Sequence, residues 1–348
     1  DISQKIKKQF QQLNPYVNID LQLLPGTDYV YSLVNLIERG EGPDVFVVSD
    51  AHFRNLESLN KLSLIEAYVP ADIQPERDSY PKVFEMFSKE NQTIATPFVF
   101  SPVIICYNKK MFSEAGISPD DTLTSWDDLV RVAKDCTTET EDNIINHYGF
   151  CFSASSNRWP VFMLQNGGRF FNKDRSQSIM NSEENREALN FCVDLMYKHK
   201  VSPVFSHGND ELAEKIFMRE RAAMILTTYY FLNEFRNHDI DWNLMPLPKH
   251  KENATLLIGG SIALNKYSKM KETAKSFIDY LVSTEAQTLI KRNGCTIPML
   301  RSVAEDNHLL NPDIHPENYN AFKEVMPYAY PMKELQLSHA DIEILENE

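Results

Sequence analysis

Aromatic residues at the ends of apolar segments are the side chains of this 348-residue sequence best placed to do chemistry. Trp159 follows the polar run Ser153 to Arg158, and Tyr229 and Tyr230 follow the apolar run Ala222 to Leu226. Phe98 and Phe100 alternate in a segment that also carries Pro97 and Pro102. Ser49 and Asp50 close a fourth segment, Val45 to Val48. A flat ring stacks on a face of C–H groups, while carboxylates, amides and hydroxyls satisfy a rim of hydroxyl groups. Together these residue types suit a polyhydroxylated ligand such as a sugar. Gly259 and Gly260 complete the candidate set, because paired glycines inside a strand mark close approach by another backbone or by a ligand. Most of the 20 Phe, 15 Tyr and 3 Trp must nevertheless build core, and Trp126 is assigned there.

Catalytic constellations are harder to find. No phosphate-cradling glycine loop, nucleophile elbow, H-E-x-x-H pair or calcium loop occurs in the sequence. His207 and Asp210 lie close together, but a loop histidine near an aspartate is more often solvated than catalytic. The paired acids Asp127-Asp128 and Glu183-Glu184 stand at helix starts, where they complement the helix dipole. No enzyme, cofactor or metal site is expected. The five cysteines, Cys106, Cys136, Cys151, Cys192 and Cys295, are scattered and read as reduced, buried thiols.

The elements that must hold the candidate residues follow from periodicity. Ile2, Ile6, Phe10 and Leu13 make a helical stripe that ends at Asn14-Pro15. Val17, Ile19, Leu21 and Leu23 alternate and predict a strand. Val30, Leu33, Val34 and Ile37 predict a helix. The continuous run Val45 to Val48 predicts a parallel strand buried on both faces, with Ser49-Asp50 opening the loop after it. Thr96 to Tyr107 predicts a strand region interrupted by its prolines. Asn108 opens one helix and Ser125 caps another, while residues 137–146 read as a charged loop. Helices are predicted from Trp159 to Gly167-Gly168, around Ala188 to Leu195, and around Leu212 to Phe217. Strands are predicted at Ala222 to Leu226, followed by the loop Thr227 to Phe231, and at Asp241 to Pro248.

Leu256 to Pro298 is the densest block. A strand with Gly259-Gly260 inside it leads to a helix carrying Ala274, Phe277, Ile278 and Leu281 on one face. Thr284 and Gln287 have capping-box spacing for the next helix, and Gly294 stops it.

Composition sets the outer bounds. The length suggests two or three domains, and 43 % hydrophobic with 24 % charged residues is an ordinary globular mixture. A formal charge of −14 opposes a nucleic-acid or anionic-membrane partner. No apolar run reaches the roughly 20 residues of a spanning helix. No signal peptide is seen, and a mature or trimmed chain is expected.

In this order the blocks resemble the extracellular solute-binding proteins of ABC importers, in the sugar-binding group of maltose-binding-protein type. The carrying residues are Phe10…Asn14-Pro15…Val17-Asn18-Ile19, Gly42-Pro43-Asp44-Val45-Phe46 and Tyr107-Asn108-Lys109…Phe112…Ala115-Gly116-Ile117. They continue through Ser125-Trp126-Asp127-Asp128-Leu129 and Phe217…Ala222-Ala223-Met224, with Glu220 where that family often has glycine. Ser268-Lys269…Ala274…Phe277-Ile278…Tyr280-Leu281…Glu285-Ala286-Gln287 ends the series.

The resemblance implies an α/β fold of the periplasmic-binding-protein type II class, with two discontinuous α/β lobes, a hinge and an interlobe cleft. Residues 1–106 with 262–312 would form the first lobe, and 107–261 with 313–348 the second. Chain crossings are implied near Tyr107 and Gly260. The implied ligand contacts are Ser49, Asp50, Phe98, Phe100, Trp159, Tyr229, Tyr230, Gly259 and Gly260. That type carries aromatics near the positions of Val48 and of Ser155 or Ser156, which favours a glycan other than maltose. The implied partners are an oligosaccharide and the transmembrane subunits of an ABC permease, with the receptor a monomer at the cell surface, as a lipoprotein, or in the periplasm. A receptor for a glycerophosphodiester, peptide or polyamine, and a secreted glycan-processing enzyme, stay open as alternatives.

Overall fold

The computed structural model describes residues 2–24, 29–118, 123–142, 144–204, 213–294, 296–337, 341–342 and 344. The chain divides into two compact units. Unit 1 comprises Asp1–Phe100, Ile258–Asn311 and Ser338–Asp341, and unit 2 comprises Ser101–Leu257, Pro312–Leu337 and Ile342–Glu348.

Unit 1 begins with α1 (Ile2–Leu13) and α2 (Tyr29–Glu38), whose buried faces carry Ile6 and Phe10, and Val30, Leu33, Val34 and Ile37. Residues 17–23, predicted as a strand, are irregular, and Leu21 and Leu23 are exposed. Alternation makes a strand only where a ladder and a buried face receive it, and no pairing involves these residues among those described. β1 (Val45–Ser49) runs antiparallel to a later strand rather than parallel, and Val47 faces solvent. Only one of its faces is buried. Nor does a loop follow it, because Ser49 Oγ accepts the amide of His52 and caps α3 (Asp50–Ser58). β2 (Ile65–Glu66), the short helices α4 (Pro75–Asp78) and α5 (Pro81–Glu85), and the hairpin β3 (Ser88–Lys89) with β4 (Gln92–Thr93) complete this segment.

β5 (Thr96–Asn108) is one unbroken 13-residue strand that starts in unit 1 and ends in unit 2. Its prolines do not interrupt it. Pro102 falls where the strand changes partners, between the pairing of Val99 and Phe100 and that of Val103 to Asn108, so the missing N–H breaks no ladder bond recorded there.

In unit 2, α6 (Lys109–Glu114) is capped by Asn108, and α7 (Trp126–Cys136) by a complete Ser125/Asp128 capping box. The stretch 137–146, read as a loop, holds β4's successors β6 (Thr138–Glu139) and the start of β7 (Ile145–Cys151), paired antiparallel. Its charges lie on an exposed edge, which hides the hairpin from a hydrophobic pattern. α8 (Pro160–Gln165), α9 (Glu183–Tyr197) and α10 (Ala213–Met218) follow. Leu212, predicted to belong to the last of these, lies outside the described residues, as do His207, Asp210 and Cys295. β8 (Ala222–Thr228) pairs antiparallel with β5 and parallel with β7. The predicted loop Thr227 to Phe231 is instead the end of β8 and a 3-10 turn at Tyr229–Phe231, after which come α11 (Leu232–Phe235) and β9 (Trp242–Met245). Trp126 is core, as expected. Its ring lies between Phe191 and His250, each 4.1 Å away between centroids, and its Nε1–H donates to Gln165 Oε1 at 2.7 Å.

β10 (Thr255–Asn265) leaves unit 2 and enters unit 1, where it pairs with β1 and β2. α12 (Lys271–Leu281) buries Ala274, Ile278 and Leu281, and its Phe277 and Tyr280 meet the Phe10 ring of α1 at 5.0 and 5.3 Å. Burying one such ring contributes about 1.5–3 kcal/mol. α13 (Thr284–Arg292) is capped by Ser283, not Thr284, so the predicted capping box is absent. Gln287 is buried instead. Its amide donates to Phe98 O and Leu281 O and accepts from Leu300 N, tying β5 to the segment after α13. β11 (Ile297–Pro298) pairs with β5, and α14 (Arg301–Ala304) ends this segment. In the last stretch of unit 2, α15 (Phe322–Val325) precedes β12 (Ala329–Pro331), which runs parallel to Thr255–Leu257 of β10. Positions 106 and 261, the implied lobe boundaries, lie inside β5 and β10, and the contact-based division falls at Phe100/Ser101 and Leu257/Ile258.

Candidate functional site

In unit 1 the candidate residues gather around β1, the start of α3 and the β5/β10 segments. Ser49 is the α3 cap, so its hydroxyl is already engaged by the His52 amide at 3.1 Å. Asp50 occupies the first turn of α3. Its Oδ2 accepts from Arg54 Nη1 at 2.9 Å and its Oδ1 from the Gly259 amide at 3.4 Å. A carboxylate has about four acceptor positions, so Asp50 keeps capacity for a ligand hydroxyl. Beside it, the His52 ring stacks on Tyr29 at 4.5 Å. Burial lowers the His52 pKa, and the Asp50 charge opposes that shift.

Gly259 and Gly260 are glycines for a packing reason. A Cβ on Gly259 would lie 2.5 Å from Met86 Cε and 3.3 Å from Val99 O, and one on Gly260 would lie 3.1 Å from Val99 Cγ2 and 3.2 Å from Phe98 Cε1. The space at both positions is taken up by unit 1 itself. Phe98 is half-buried against the cluster of Phe84, Val282, Met299, Leu300 and Val303. Phe100 is fully buried, with its ring edge-on to Tyr80 at 5.3 Å. Tyr80, which no pattern singled out, also carries the Arg301 guanidinium over its ring at 4.5 Å.

In unit 2 the candidates sit at the start of α8 and the end of β8. Trp159 immediately precedes Pro160 of α8, is 9 % exposed, and meets Phe170 edge-on at 5.8 Å. Tyr229 is fully buried, and its hydroxyl donates to Tyr319 O at 2.7 Å and accepts from Phe322 N at 3.1 Å. With both hydrogen-bonding roles filled internally, Tyr229 serves the core. Tyr230, one residue on, is half-buried. Both lie in the 3-10 turn Tyr229–Phe231 after β8, where Tyr229 is turned into the core and Tyr230 is not.

Between these positions lies a buried ion pair. Arg158 Nη2 is 3.4 Å from Glu214 Oε1, with the two residues 4 % and 2 % exposed. Thr227 Oγ1 also donates to Glu214 Oε1, at 3.0 Å. Burial pulls the guanidinium's pKa down and the Glu214 charge raises it. Burial raises the pKa of the Cys106 and Cys151 thiols, and the same carboxylate adds to it. Glu214 was not singled out from the sequence. Its signal was available, because it stands three residues before the core residue Phe217 on a short helix and so shares its face. Cys106, Cys136, Cys151 and Cys192 are free and buried.

Among the described residues no group of three or more His, Cys, Asp or Glu is placed to hold a metal ion. Among them, too, no helix is long and apolar enough to cross a membrane.

A family model described as bacterial extracellular solute-binding protein matches residues 1–288. By sequence the chain is similar to an arabinooligosaccharide-binding protein of Halalkalibacterium halodurans, 23 % identical over 269 residues that cover 73 % of this chain and 58 % of that protein. It is also similar to a maltotriose-binding protein of Pyrococcus abyssi, 21 % identical over 71 % of this chain and 50 % of that one. The matched region thus spans about half the length of these relatives. Among solved structures, an ABC substrate-binding protein from Listeria monocytogenes in complex with cycloalternan superposes with a TM-score of 0.84 at 23 % identity, covering 99 % of this chain and 90 % of that chain.

Proposed function

The chain belongs to the bacterial extracellular solute-binding protein family, and from that premise we propose that it is a non-catalytic receptor that captures an oligosaccharide for an ABC importer. The observation that carries the proposal is the family match across residues 1–288. The ligands named for the relatives, an arabino-oligosaccharide, maltotriose and cycloalternan, are all glycans.

The residues support a glycan in detail. In unit 2, taken by itself, Trp159 and Tyr230 would stack on sugar faces; in unit 1, taken by itself, Phe98 offers a ring and Asp50 an acceptor for hydroxyls. Tyr229, Phe100, Gly259 and Gly260 would hold these groups in place rather than touch the ligand. Arg158, the basic residue nearest the candidate aromatics in sequence, is committed to Glu214, which speaks against a phosphate ligand there. The permease subunits are the partner this role requires, with the receptor working as a monomer outside the cytoplasm.

Calorimetric titration with arabino-oligosaccharides, maltotriose and cycloalternan tests the proposal. Binding of one glycan without its turnover, weakened by Trp159→Ala and by Tyr230→Ala, is the expected result. Turnover of any of them overturns the receptor reading, and a glycan that binds equally well to both variants overturns the aromatic assignment.

A further inference from the structure

The Arg158–Glu214 pair is poorly built as a stabilising device. Two charges are withdrawn from water, yet their closest approach is 3.4 Å, and Arg158 Nε has no hydrogen-bond partner among the described residues. Buried pairs of this kind cost desolvation that their attraction often fails to offset, and well-packed apolar residues in their place are often as stable or more so. What the pair does have is reach. Thr227, at the end of β8, donates to Glu214 on α10, and Glu214 meets one arm of the Arg158 fork. The other arm donates to Asn157 O at 3.2 Å and to Asn157 Oδ1 at 3.0 Å. Asn157 Oδ1 in turn accepts from Ser155 Oγ at 2.9 Å, and Arg158 N closes a turn onto Ser155 O at 3.0 Å. A planar guanidinium holding partners on both arms fixes direction in a way an ammonium cannot.

We propose that Arg158 and Glu214 are positioning residues that set the orientation of Trp159. The relay runs from β8, two residues before Tyr229, to the turn that delivers Trp159 to α8. It thereby fixes the Trp159 ring relative to the strand end that carries Tyr230, and two stacking rings with a set spacing select a glycan by the separation of its sugar faces. The consequence for selectivity rests on the reading of Trp159 as a ligand contact. The orientation itself does not.

The test uses the full chain labelled with 5-fluorotryptophan, whose fluorine spectrum has one resonance each for Trp126, Trp159 and Trp242, with Trp159→Phe assigning the second. Two variants are compared, Arg158→Met with Glu214→Leu as an apolar replacement of the pair, and Arg158→Lys, which keeps the charge but loses the fork. In each folded variant the Trp159 resonance is expected to shift or broaden beyond its linewidth while those of Trp126 and Trp242 stay in place. A Trp159 resonance unmoved in either folded variant overturns the proposal. For whichever of arabino-oligosaccharides, maltotriose and cycloalternan binds, the double apolar variant should lose about tenfold in affinity, with no further loss when Trp159→Ala is added. Fully additive losses also overturn it. If the resonance moves but Trp159→Ala alone leaves affinity intact, the relay stands and the ligand-contact reading of Trp159 falls.

Discussion

Asp50 and Arg54 lie one helical turn apart at the start of α3 and share a 2.9 Å ion pair in which each side chain is 11 % exposed. The pair is intermediate between a surface bridge, which contributes little, and a buried one, whose disruption leaves a stranded charge. Arg54→Met should therefore lower stability by about 2 kcal/mol, between those two regimes. Adding Asp50→Asn should restore part of the loss by removing the stranded carboxylate. Denaturant titration of the two single variants and the double checks this, and a double variant as unstable as the summed singles would refute the ion-pair account.

Glu220 adopts φ 53°, the left-handed region that side chains enter at a cost of roughly 1–2 kcal/mol. It stands where the resembling family often has glycine, which enters that region freely. Glycine's larger unfolded-state entropy offsets part of the gain. Glu220→Gly should thus stabilise the protein by about 0.5–1 kcal/mol, read as a raised thermal midpoint.

Two glycines should respond unequally to alanine. At Gly149 the added carbon would overlap the backbone carbonyl of Ala133, which belongs to α7 and cannot step aside. At Gly259 the nearest atom is the end of the Met86 side chain. Gly259→Ala should cost about 1–3 kcal/mol, the usual range for overpacking. Gly149→Ala should cost clearly more and separate α7 from β7, so that soluble yield and unfolding midpoint rank the two. The reverse order would show that unit 1 is the more rigid at these contacts.

His52 links stability to pH. Its folded pKa lies below the ordinary 6.5, because burial disfavours the imidazolium more than Asp50 favours it. The unfolded chain therefore binds the proton more readily, and the histidine's contribution is complete above pH 6.5 and declines as pH falls through that value toward the lowered folded one. His52→Gln, a neutral replacement, should flatten this part of the stability profile. Equilibrium unfolding at a series of pH values compares the two slopes, and parallel curves would remove His52 as the cause.

Local signals in the sequence were sufficient for much of the fold. The buried face of α2, the Ser125 cap and the Ala274–Leu281 stripe use neighbours within one or two turns, and all three appear where the pattern put them. Trp126 as core was legible for the same reason. The candidate site was legible only as a set of segments. The same apolar-to-polar boundary that marked Tyr230 also marked Tyr229, and a hydrogen bond to Tyr319, 90 residues away, consigns Tyr229 to the core.

By itself, then, the sequence determined the family, most helices with their caps, and the short stretches in which ligand-facing residues had to be sought. Tertiary structure decided what could not be local. Residues 17–23 alternate as a strand does, but a strand exists only against a partner, and none of the described residues pairs with them. Gln287 has the spacing of a cap, yet it is held by backbone groups of Phe98, Leu281 and Leu300. Gly259 is explained by Met86 and Val99, and Arg158 by Glu214, 56 positions further along. In each case the governing interaction joins residues whose separation in sequence carries no period, so only the folded chain brings them within reach.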